Sequence, residues 1–555
     1  MISAQFVLKY ALTVFLTACS ILGEVVHIKQ GTLKGFKSES KNGTTYFGFL
    51  GIPFAMAPVN ELRFQAPKPH LGWSGERDAT TEGNICPQPA WYPGNKSEDC
   101  LNLNVYTPKL NSSAKLPVMF LIHGGGFTSG GAKFSREKYL MDQDIVYVSI
   151  NYRLGVLGFI SFGDEVVPGN FGLKDQVLAL RWVHDNIDQF GGDPNKVTIF
   201  GFSAGGASVD FHVISPQSKD LFHNAILQSG TASCPWAITP QSIARQRAEA
   251  VATLLGCPSK PTSEAVACLQ SLPAKSFVAV NAKFEQWVGS PAVSFAPVID
   301  NYLNQDAFLP NHPLNLSPNQ VHVIMGINSH DGSITVNRLC ANQFKLAREL
   351  EADVSNKLTV LTNIQDSISY KDKKKLSDEL MSYYLKGENL TEETMEGFSD
   401  LSTDLLFSHC AYKSALHYYK HIPVYFYLFD IEIPRSVFND VFATGGCAHV
   451  KGPGHGDESY YLFNDFGAEI AKSELPPVPE EHEILGRSFL ALWTNFARTG
   501  VPGETWTPVK SDNIEYLNMN KEEMTMRNGF YEKRMKFLDS LQWVKPDSDL
   551  AKTSI

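Results

Sequence analysis

Ser203 lies in a short motif, Gly201-x-Ser203-x-Gly205, whose residue types suit a nucleophilic serine. Residues 196–199 before it have the pattern of a short buried β-strand, and residues 207–209 after it can open a helix. A serine at such a strand-to-helix turn is held in a strained conformation that lifts its hydroxyl clear of the sheet. The two glycines fit because a Cβ at this tight crossing would collide with its neighbours. The pattern predicts nucleophilic catalysis by Ser203; the alternative is a glycine-rich turn with an incidental serine.

A second glycine-rich segment, residues 123–126, follows a predicted buried strand. Its three glycines let backbone N–H groups approach a ligand without obstruction by side chains. A segment of this kind supplies half of the oxyanion hole in α/β-hydrolases. We expect the N–H groups of Gly125 and Gly126, with that of Ala204, to stabilise a developing oxyanion. His123, at the start of the segment, is expected to be structural.

A serine hydroxyl needs a base to take its proton, and the base needs a carboxylate to orient it. Among fifteen histidines, His455 is favoured because two glycines flank it in a loop, and His449 is the nearest alternative. Asp331 is the carboxylate in the turn after a predicted strand, and it precedes His455, as the order Ser, acid, His requires. An Asp-Gly turn without catalytic function is the alternative for Asp331. The adjacent His330 could also pair with it.

The elements that must position these residues alternate between apolar strands and amphipathic helices. A helix is predicted over residues 174–190. Strands are predicted at residues 118–122, 145–150, 196–200, 225–227, 321–325 and 424–428. This alternation implies an α/β fold with a large, mainly parallel sheet and helices on both faces, and we expect an α/β-hydrolase fold. Ser203 follows the carboxyl end of its strand, where sites lie in such sheets.

The composition is that of an ordinary globular protein, with 555 residues, 43% hydrophobic and 19% charged. The net charge of −10 argues against nucleic-acid binding, which usually needs a basic face. No Cys-x-x-Cys or His/Cys cluster indicates a metal, so we expect neither a metal nor a cofactor. We expect one domain over residues 24–545 and a short tail over residues 546–555. The oligomeric state is open.

Residues 1–23 have the pattern of a secretory signal peptide, with a positive charge at Lys9, an apolar run and then small residues. The apolar run is too short to span a bilayer, and no later segment is long enough. Residues 16–19 also resemble a bacterial lipoprotein signal. Asn-x-Ser/Thr glycosylation signals instead favour a eukaryotic secretory route. These candidate sites are Asn42, Asn95, Asn111, Asn315 and Asn389.

Eight of the nine cysteines follow the predicted signal peptide. In an oxidising compartment, closely spaced cysteines are natural loop-closing pairs, which indicates Cys86 with Cys100 and Cys257 with Cys268. Closing a loop of roughly ten to fifteen residues stabilises a fold by about 3 kcal/mol. The cysteines left unassigned are Cys234, Cys340, Cys410 and Cys447.

Over nearly all of its length after residue 23, the chain resembles the type-B carboxylesterases, the family that includes the cholinesterases. Residues 97–106 resemble one family signature and residues 193–208 the other, and residues 151–155 and 169–176 between them are also family-like. The resemblance implies a serine hydrolase that cleaves carboxylic esters through an acyl-enzyme. It also implies the disulfides Cys86–Cys100 and Cys257–Cys268.

The resemblance extends to individual positions. Glu98 and Arg153 match a structural ion pair of the family, and Ser229 matches a serine that supports the triad. The family usually places Glu where this chain has Asp331, so the loop of this shorter residue must move closer to the histidine. Cholinesterases carry Glu where this chain has Phe202, which argues against a cholinesterase.

The substrate pocket is expected to be apolar. Residues 291–295 match the acyl pocket of the cholinesterases but are less aromatic. Trp91 lies near the position of their choline-binding tryptophan, but the loop around it is shorter, so an aromatic cage for a quaternary ammonium is not secure. We predict that Phe202, Trp236 and Phe295 line the pocket, although core packing is an equal alternative for Trp236.

The combined prediction is a secreted carboxylesterase acting on a small-molecule ester. Ser203 attacks the carbonyl, His455 carries the proton and Asp331 orients His455. A lipase is one alternative, because lipases differ from esterases in the shape and mobility of the loops over the site, which the sequence does not specify. A non-catalytic binding module is another, disfavoured because every triad position holds a competent residue. The physiological ester is open, since hormone, pheromone, xenobiotic and dietary esters all fit an apolar pocket.

Overall fold

The structure is a computed structural model that describes residues 24–366, 368, 370–434, 436, 447, 450–463 and 478–541. The predicted signal peptide, the predicted tail and the alternative base His449 lie outside the described residues.

The described strands form two sheets. Eleven strands make one large sheet in the order β14-β13-β12-β11-β10-β9-β7-β8-β6-β4-β3, and three make a small sheet in the order β1-β2-β5. The strands are β1 (Val25–Ile28), β2 (Gly31–Lys34), β3 (Phe36–Glu39), β4 (Thr45–Pro53), β5 (Glu76–Asp78), β6 (Asn102–Thr107), β7 (Leu116–Ile122), β8 (Val146–Ile150), β9 (Gly192–Phe202), β10 (Asn224–Gln228), β11 (His322–Asn328), β12 (Val424–Asp430), β13 (Glu515–Asn520) and β14 (Met524–Asn528).

Helices connect the parallel strands and cover the sheet. They are α1 (Gly155–Phe159), α2 (Phe171–Asn186), α3 (Ala204–Ile214), α4 (Gln241–Leu254), α5 (Thr262–Gln270), α6 (Ala274–Asn281), α7 (Ser333–Glu351), α8 (Val354–Leu361), α9 (Tyr370–Leu385), α10 (Met395–Thr403), α11 (His409–Tyr418), α12 (Glu480–Thr499) and α13 (Glu532–Ser540). A π-helical turn, Asp404–Ser408, joins α10 to α11. Short 3-10 turns occur at Asn60–Leu62, Ala132–Phe134, Leu140–Asp142, Ile187–Phe190, Pro216–Ser218, Ala282–Phe284, Asn301–Asp306, Pro313–Asn315 and Asp457–Tyr461.

The centre of the large sheet is parallel, as predicted. Strands β8, β7, β9, β10, β11, β12 and β13 pair in parallel in that order. The outer strands β6, β4 and β3 on one side and β14 on the other pair antiparallel. The six predicted strands all exist, and β9 extends the predicted strand 196–200 at both ends. The predicted helix 174–190 begins earlier, at Phe171, and its last residues form a 3-10 turn.

Both faces of the central strands are covered, which explains their continuous apolar sequences. In β7 every residue is buried. Phe120 belongs to the hydrophobic core on one face, whereas its neighbours Met119 and Leu121 belong to the core on the other. Successive strand residues point to opposite faces, so this alternation requires an apolar layer on each side. The carboxyl ends of the parallel strands therefore lie above a rigid, fully packed platform.

Four disulfides occur among the described residues. Two are the predicted short-range pairs, Cys86–Cys100 and Cys257–Cys268. The other two, Cys234–Cys410 and Cys340–Cys447, join residues 176 and 107 positions apart. Spacing gave no guide to them because four cysteines allow several connectivities.

The surface carries all five predicted glycosylation asparagines, and each is exposed. No helix within the described ranges is long and apolar enough to cross a membrane.

Candidate active site

Ser203 stands at the turn between the end of β9 and the start of α3. Its backbone adopts φ 59° and ψ −128°, a conformation that a non-glycine residue rarely occupies. A Cβ built on Gly201 would lie 2.5 Å from the carbonyl oxygen of Ile122, and one on Gly205 would lie 2.1 Å from the same oxygen. The two glycines are therefore required by the close approach of β7 to the turn. This is the strained strand-to-helix turn that the motif predicts.

The glycine segment after β7 lies directly against this turn. A Cβ on Gly124 would lie 3.2 Å from the Cβ of Ser203. Gly125 and Gly126 have φ values of 109° and 61°, which favour glycine. Within the described residues, the N–H groups of Gly125, Gly126 and Ala204 donate no hydrogen bond to another protein group. The predicted oxyanion donors are thus close to Ser203 and available to a ligand.

The predicted base and acid are in contact. His455 Nδ1 lies 2.9 Å from Asp331 Oδ1, and both side chains are fully buried. Donation of the Nδ1 proton to this carboxylate leaves Nε2 as the acceptor nitrogen of a neutral imidazole. The Asn328 N–H donates to the other carboxylate oxygen at 2.9 Å. His330 does not compete for Asp331, because its ring nitrogens contact Ser329 and Glu396 instead.

A buried polar network holds the two loops together, and no sequence motif indicated it. The Asn328 side chain donates to the Gly454 carbonyl and to the Glu458 carboxylate, each at 2.6 Å. The Gln228 side chain donates to the second Glu458 oxygen at 3.0 Å. Burial and the charge of Asp331 raise the pKa of Glu458 to about 7. The network ties the ends of β10 and β11 to the loop that carries His455.

His123 supports the glycine segment. Its Nδ1 lies 2.8 Å from the Gly124 carbonyl oxygen, and its ring stacks on Tyr152 at 4.3 Å between centroids. The Tyr152 hydroxyl donates to the His123 carbonyl at 2.9 Å. Burial lowers the pKa of His123 to about 4, so the imidazole is neutral at physiological pH. A neutral ring whose Nδ1–H donates to a backbone carbonyl suits a structural residue.

Substitution of His123 by phenylalanine is expected to change how the free energy of unfolding depends on pH, because the buried imidazole is neutral. In the unfolded chain His123 binds a proton below about pH 6.5, whereas in the folded protein it binds one only below about pH 4. Between these pH values the proton stabilises the unfolded state, so the contribution of His123 to the free energy of unfolding falls as the pH falls. The free-energy advantage of the wild type over His123→Phe should therefore shrink by about 2 kcal/mol between about pH 7 and about pH 5. Urea unfolding of both proteins across this range measures the difference.

Tyr152→Phe is the matched control for this experiment. It removes a hydrogen bond of the same cluster but no group that titrates in the range, so its effect should not change with pH. A constant difference between the wild type and His123→Phe would show that His123 is not held neutral by burial.

A cavity of about 350 Å³ opens above the turn. Ser203, His455 and the glycine segment line it, as do Phe202 and Trp236, which the sequence placed in the pocket. Phe295 was predicted to line the pocket but does not: it is buried with its ring edge-on to Phe284 at 5.0 Å. The wall comes instead from its neighbours, residues 291–294.

Phe407 is a wall residue that the sequence did not reveal. It lies in the π-helical turn, and its ring stacks on His455 with centroids 4.4 Å apart. The Trp236 indole N–H donates to the Leu406 carbonyl at 2.8 Å, and the Cys234–Cys410 disulfide joins the same two segments. Single π-helical turns inside α-helices often occur at functional sites. Here the turn places an aromatic ring on the predicted base.

Two ion pairs correct the expectation that Glu98 pairs with Arg153. Glu98 contacts Arg63 at 2.6 Å, and Arg153 contacts Asp175 at 2.7 Å. Arg153 also donates to the Gln65 carbonyl. Arg63 also donates to three backbone carbonyls around the end of α5. Both pairs are largely buried and anchor loops away from Ser203.

The other two positions taken from the resemblance are Ser229, which is buried, and Trp91, which is exposed. Ser229 is buried at the end of β10 and donates its N–H to the Gly326 carbonyl. Trp91 lines the cavity but is 51% exposed, so it is not enclosed in an aromatic cage.

The sheet, the strained serine turn and the cavity above the strand ends define an α/β-hydrolase fold. Comparison with known proteins agrees. The model of the carboxylesterase family matches residues 23–538. The chain belongs to this family, the type-B, cholinesterase-like carboxylesterases, and is a carboxylic ester hydrolase.

Named relatives come from insects and mammals. Esterase FE4 of Myzus persicae is 37% identical over 523 residues, covering 91% of this chain and 90% of that protein. Juvenile hormone esterase of Tribolium castaneum is 33% identical, covering 90% and 87%. Acylcarnitine hydrolase of Mus musculus is 36% identical, covering 90% and 86%. The crystal structure of juvenile hormone esterase from Manduca sexta, with OTFP covalently attached, superposes with a TM-score of 0.82 at 27% identity, covering 94% of this chain and 99% of that one.

Proposed function

We propose that the protein is a secreted serine carboxylesterase whose triad is Ser203, His455 and Asp331. The observation that carries this proposal is the contact of 2.9 Å between His455 and Asp331, both buried, at a cavity that Ser203 also lines. A nucleophile and a base on one cavity, with a buried carboxylate in contact with the base, form the arrangement that acyl transfer needs.

In the first half of the reaction, Ser203 Oγ attacks the ester carbonyl carbon while His455 Nε2 takes its proton. The tetrahedral oxyanion is stabilised by the N–H groups of Gly125, Gly126 and Ala204, whose donors are not occupied by other described groups. Loss of one such donor costs about 3 kcal/mol in comparable enzymes. The imidazolium then gives its proton to the alcohol oxygen as the bond between this oxygen and the carbonyl carbon breaks. The alcohol departs, and the acyl group remains bound to Ser203.

In the second half, water attacks the carbonyl carbon of the acyl-enzyme while His455 takes a proton from the water. His455 then returns this proton to Ser203 Oγ as the bond between Oγ and the acyl carbon breaks, which releases the carboxylic acid and the free enzyme. Asp331 accepts the hydrogen bond from His455 Nδ1–H, which holds this tautomer and stabilises the imidazolium. The Manduca sexta esterase with OTFP covalently attached is consistent with a covalent intermediate in this family. The cavity, whose lining is largely apolar, suits an ester with an apolar acyl chain.

Secretion is the second part of the proposal. The signal-like residues 1–23, five exposed glycosylation signals and four disulfides support it. The asparagines are exposed, as a glycan requires.

The function is tested by covalent labelling combined with hydrolysis. Purified protein is expected to hydrolyse short-chain 4-nitrophenyl esters, and an organophosphate should modify Ser203 with a stoichiometry of one while abolishing activity. Peptide mapping by mass spectrometry identifies the labelled residue. Label on another serine, or full activity after complete labelling of Ser203, would contradict the assignment.

A further inference from the structure

Arg338 lines the cavity, and the proposed mechanism does not use it. It lies on α7, the helix that begins directly after Asp331 and Gly332. Ile334 and Thr335, in the first turn of this helix, also line the cavity. Arg338 is four residues beyond Ile334, which places it about 6 Å further along the helix axis. The helix therefore leads from the proposed acid to a cation at the cavity wall.

The guanidinium of Arg338 is largely unpaired by the described residues. Its Nη1 donates to the Val288 carbonyl at 3.2 Å, and among the described groups it forms no ion pair. A guanidinium carries five N–H donors, so most of them remain available. The side chain is only partly exposed. Burial lowers the pKa of Arg338, and the charge of Glu285 offsets only part of this effect.

The charges around the cavity favour an anion at this point. Apart from histidines, the charged residues among the described lining are Arg338 and Glu285. Glu285 is exposed, so its charge is screened by water and salt more strongly than that of the half-buried Arg338. The rest of the described lining is largely apolar, with Ile334, Leu361 and Phe407 among its residues.

We propose that Arg338 binds a carboxylate at the end of the substrate that is remote from the scissile bond, so that the enzyme favours esters whose apolar chain ends in an anion. A guanidinium pairs with a carboxylate through two parallel hydrogen bonds, which gives both attraction and orientation. The apolar chain lies along the wall between Ser203 and Arg338. This inference rests on the proposed function and adds the substrate class.

The test compares matched charged and neutral esters. In one series the anion is on the acyl chain: 4-nitrophenyl monoesters of dicarboxylic acids against their methyl-capped counterparts of equal length. In the other series it is on the alcohol: butyrate esters of ω-hydroxy acids against their methyl esters. The quantity measured is the ratio of kcat/KM for the charged ester to that for the neutral one, as a function of chain length.

Arg338→Met is expected to lower this ratio about tenfold or more in one series, because a charge-assisted pair is lost. Arg338→Lys, which keeps the charge without the planar fork, should lower it less. The matched control is Arg348→Met, since Arg348 lies on the same helix, is exposed and does not line the cavity. It should leave the ratio unchanged. In the wild type, raising NaCl from about 0.05 M to about 0.5 M should also lower the ratio.

The proposal is overturned if the ratio is the same in the wild type and Arg338→Met in both series, or if an equal fall occurs in Arg348→Met. If Arg338→Met does not fold, a wild-type ratio that is independent of salt and unchanged in Arg338→Lys overturns it. Failure of the proposed function is distinct, because the wild type would then hydrolyse neither the charged nor the neutral ester.

Discussion

Ser203→Ala is expected to lower kcat for a 4-nitrophenyl ester by about five to six orders of magnitude. In the proposed mechanism, the variant removes the atom that forms the acyl-enzyme. Residual hydrolysis above the rate in water would come from the donors of Gly125 and Gly126 and from substrate binding. The fold should persist, because alanine keeps the Cβ and Ser203 caps α3 without a side-chain hydrogen bond to it. Initial rates and a thermal unfolding curve measure the two effects.

Ser208→Ala is the matched control for this substitution. Ser208 lies on α3 five residues after Ser203, is fully buried, and its hydroxyl accepts a hydrogen bond from Gln176 at 3.2 Å. It does not line the cavity. Its loss should cost about 1 kcal/mol of stability and leave hydrolysis in place. Full activity in Ser203→Ala would contradict the proposed nucleophile.

Asp331→Asn is expected to reduce kcat by about four orders of magnitude. Asparagine fits the same space, but its amide group can offer an N–H to His455 Nδ1 and so favour the tautomer whose Nε2 carries the proton. That tautomer cannot act as the base for Ser203. The positive charge that develops on His455 would also lose its partner at 2.9 Å. Steady-state kinetics on the folded variant measure the effect.

Asp331→Glu is the informative comparison. It keeps the carboxylate that the family usually supplies as glutamate, but it adds a methylene to a fully buried position. We therefore expect it to lose less activity than Asp331→Asn. A negligible effect of Asp331→Asn would point to another carboxylate, and the buried Asp457 and Glu458 beside His455 are the groups to test.

Much of the central sheet could be predicted from the sequence. Parallel strands covered on both faces have short, continuous apolar sequences, so strands such as β7 and β12 were recognisable. The outer strands were missed: β3 has only partly exposed and exposed residues, β4 has partly exposed residues among buried ones, and the two strands pair antiparallel. Such strands have weaker patterns than the fully buried ones, and their pairing depends on distant partners.

The errors in the site have a common origin. Phe295 was placed in the pocket because residues 291–295 match the acyl pocket of the cholinesterases, yet its ring packs against Phe284. Glu98 was paired with the wrong arginine because the identity of an ion-pair partner depends on distance in space. In each case the residue type indicated a role, but the sequence did not specify which way the side chain points in the folded protein.

The sequence by itself determined the candidate chemistry of this protein, because a strained serine turn and a glycine segment are local features that a few adjacent residues encode. Only the tertiary structure decided what surrounds that serine. It brought the loops of Asp331 and His455 into contact, placed Phe407 on the imidazole through a π-helical turn and left Arg338 at the cavity wall. The physical reason is that the walls of a cavity come from segments far apart in the chain, whose meeting depends on how the whole core packs.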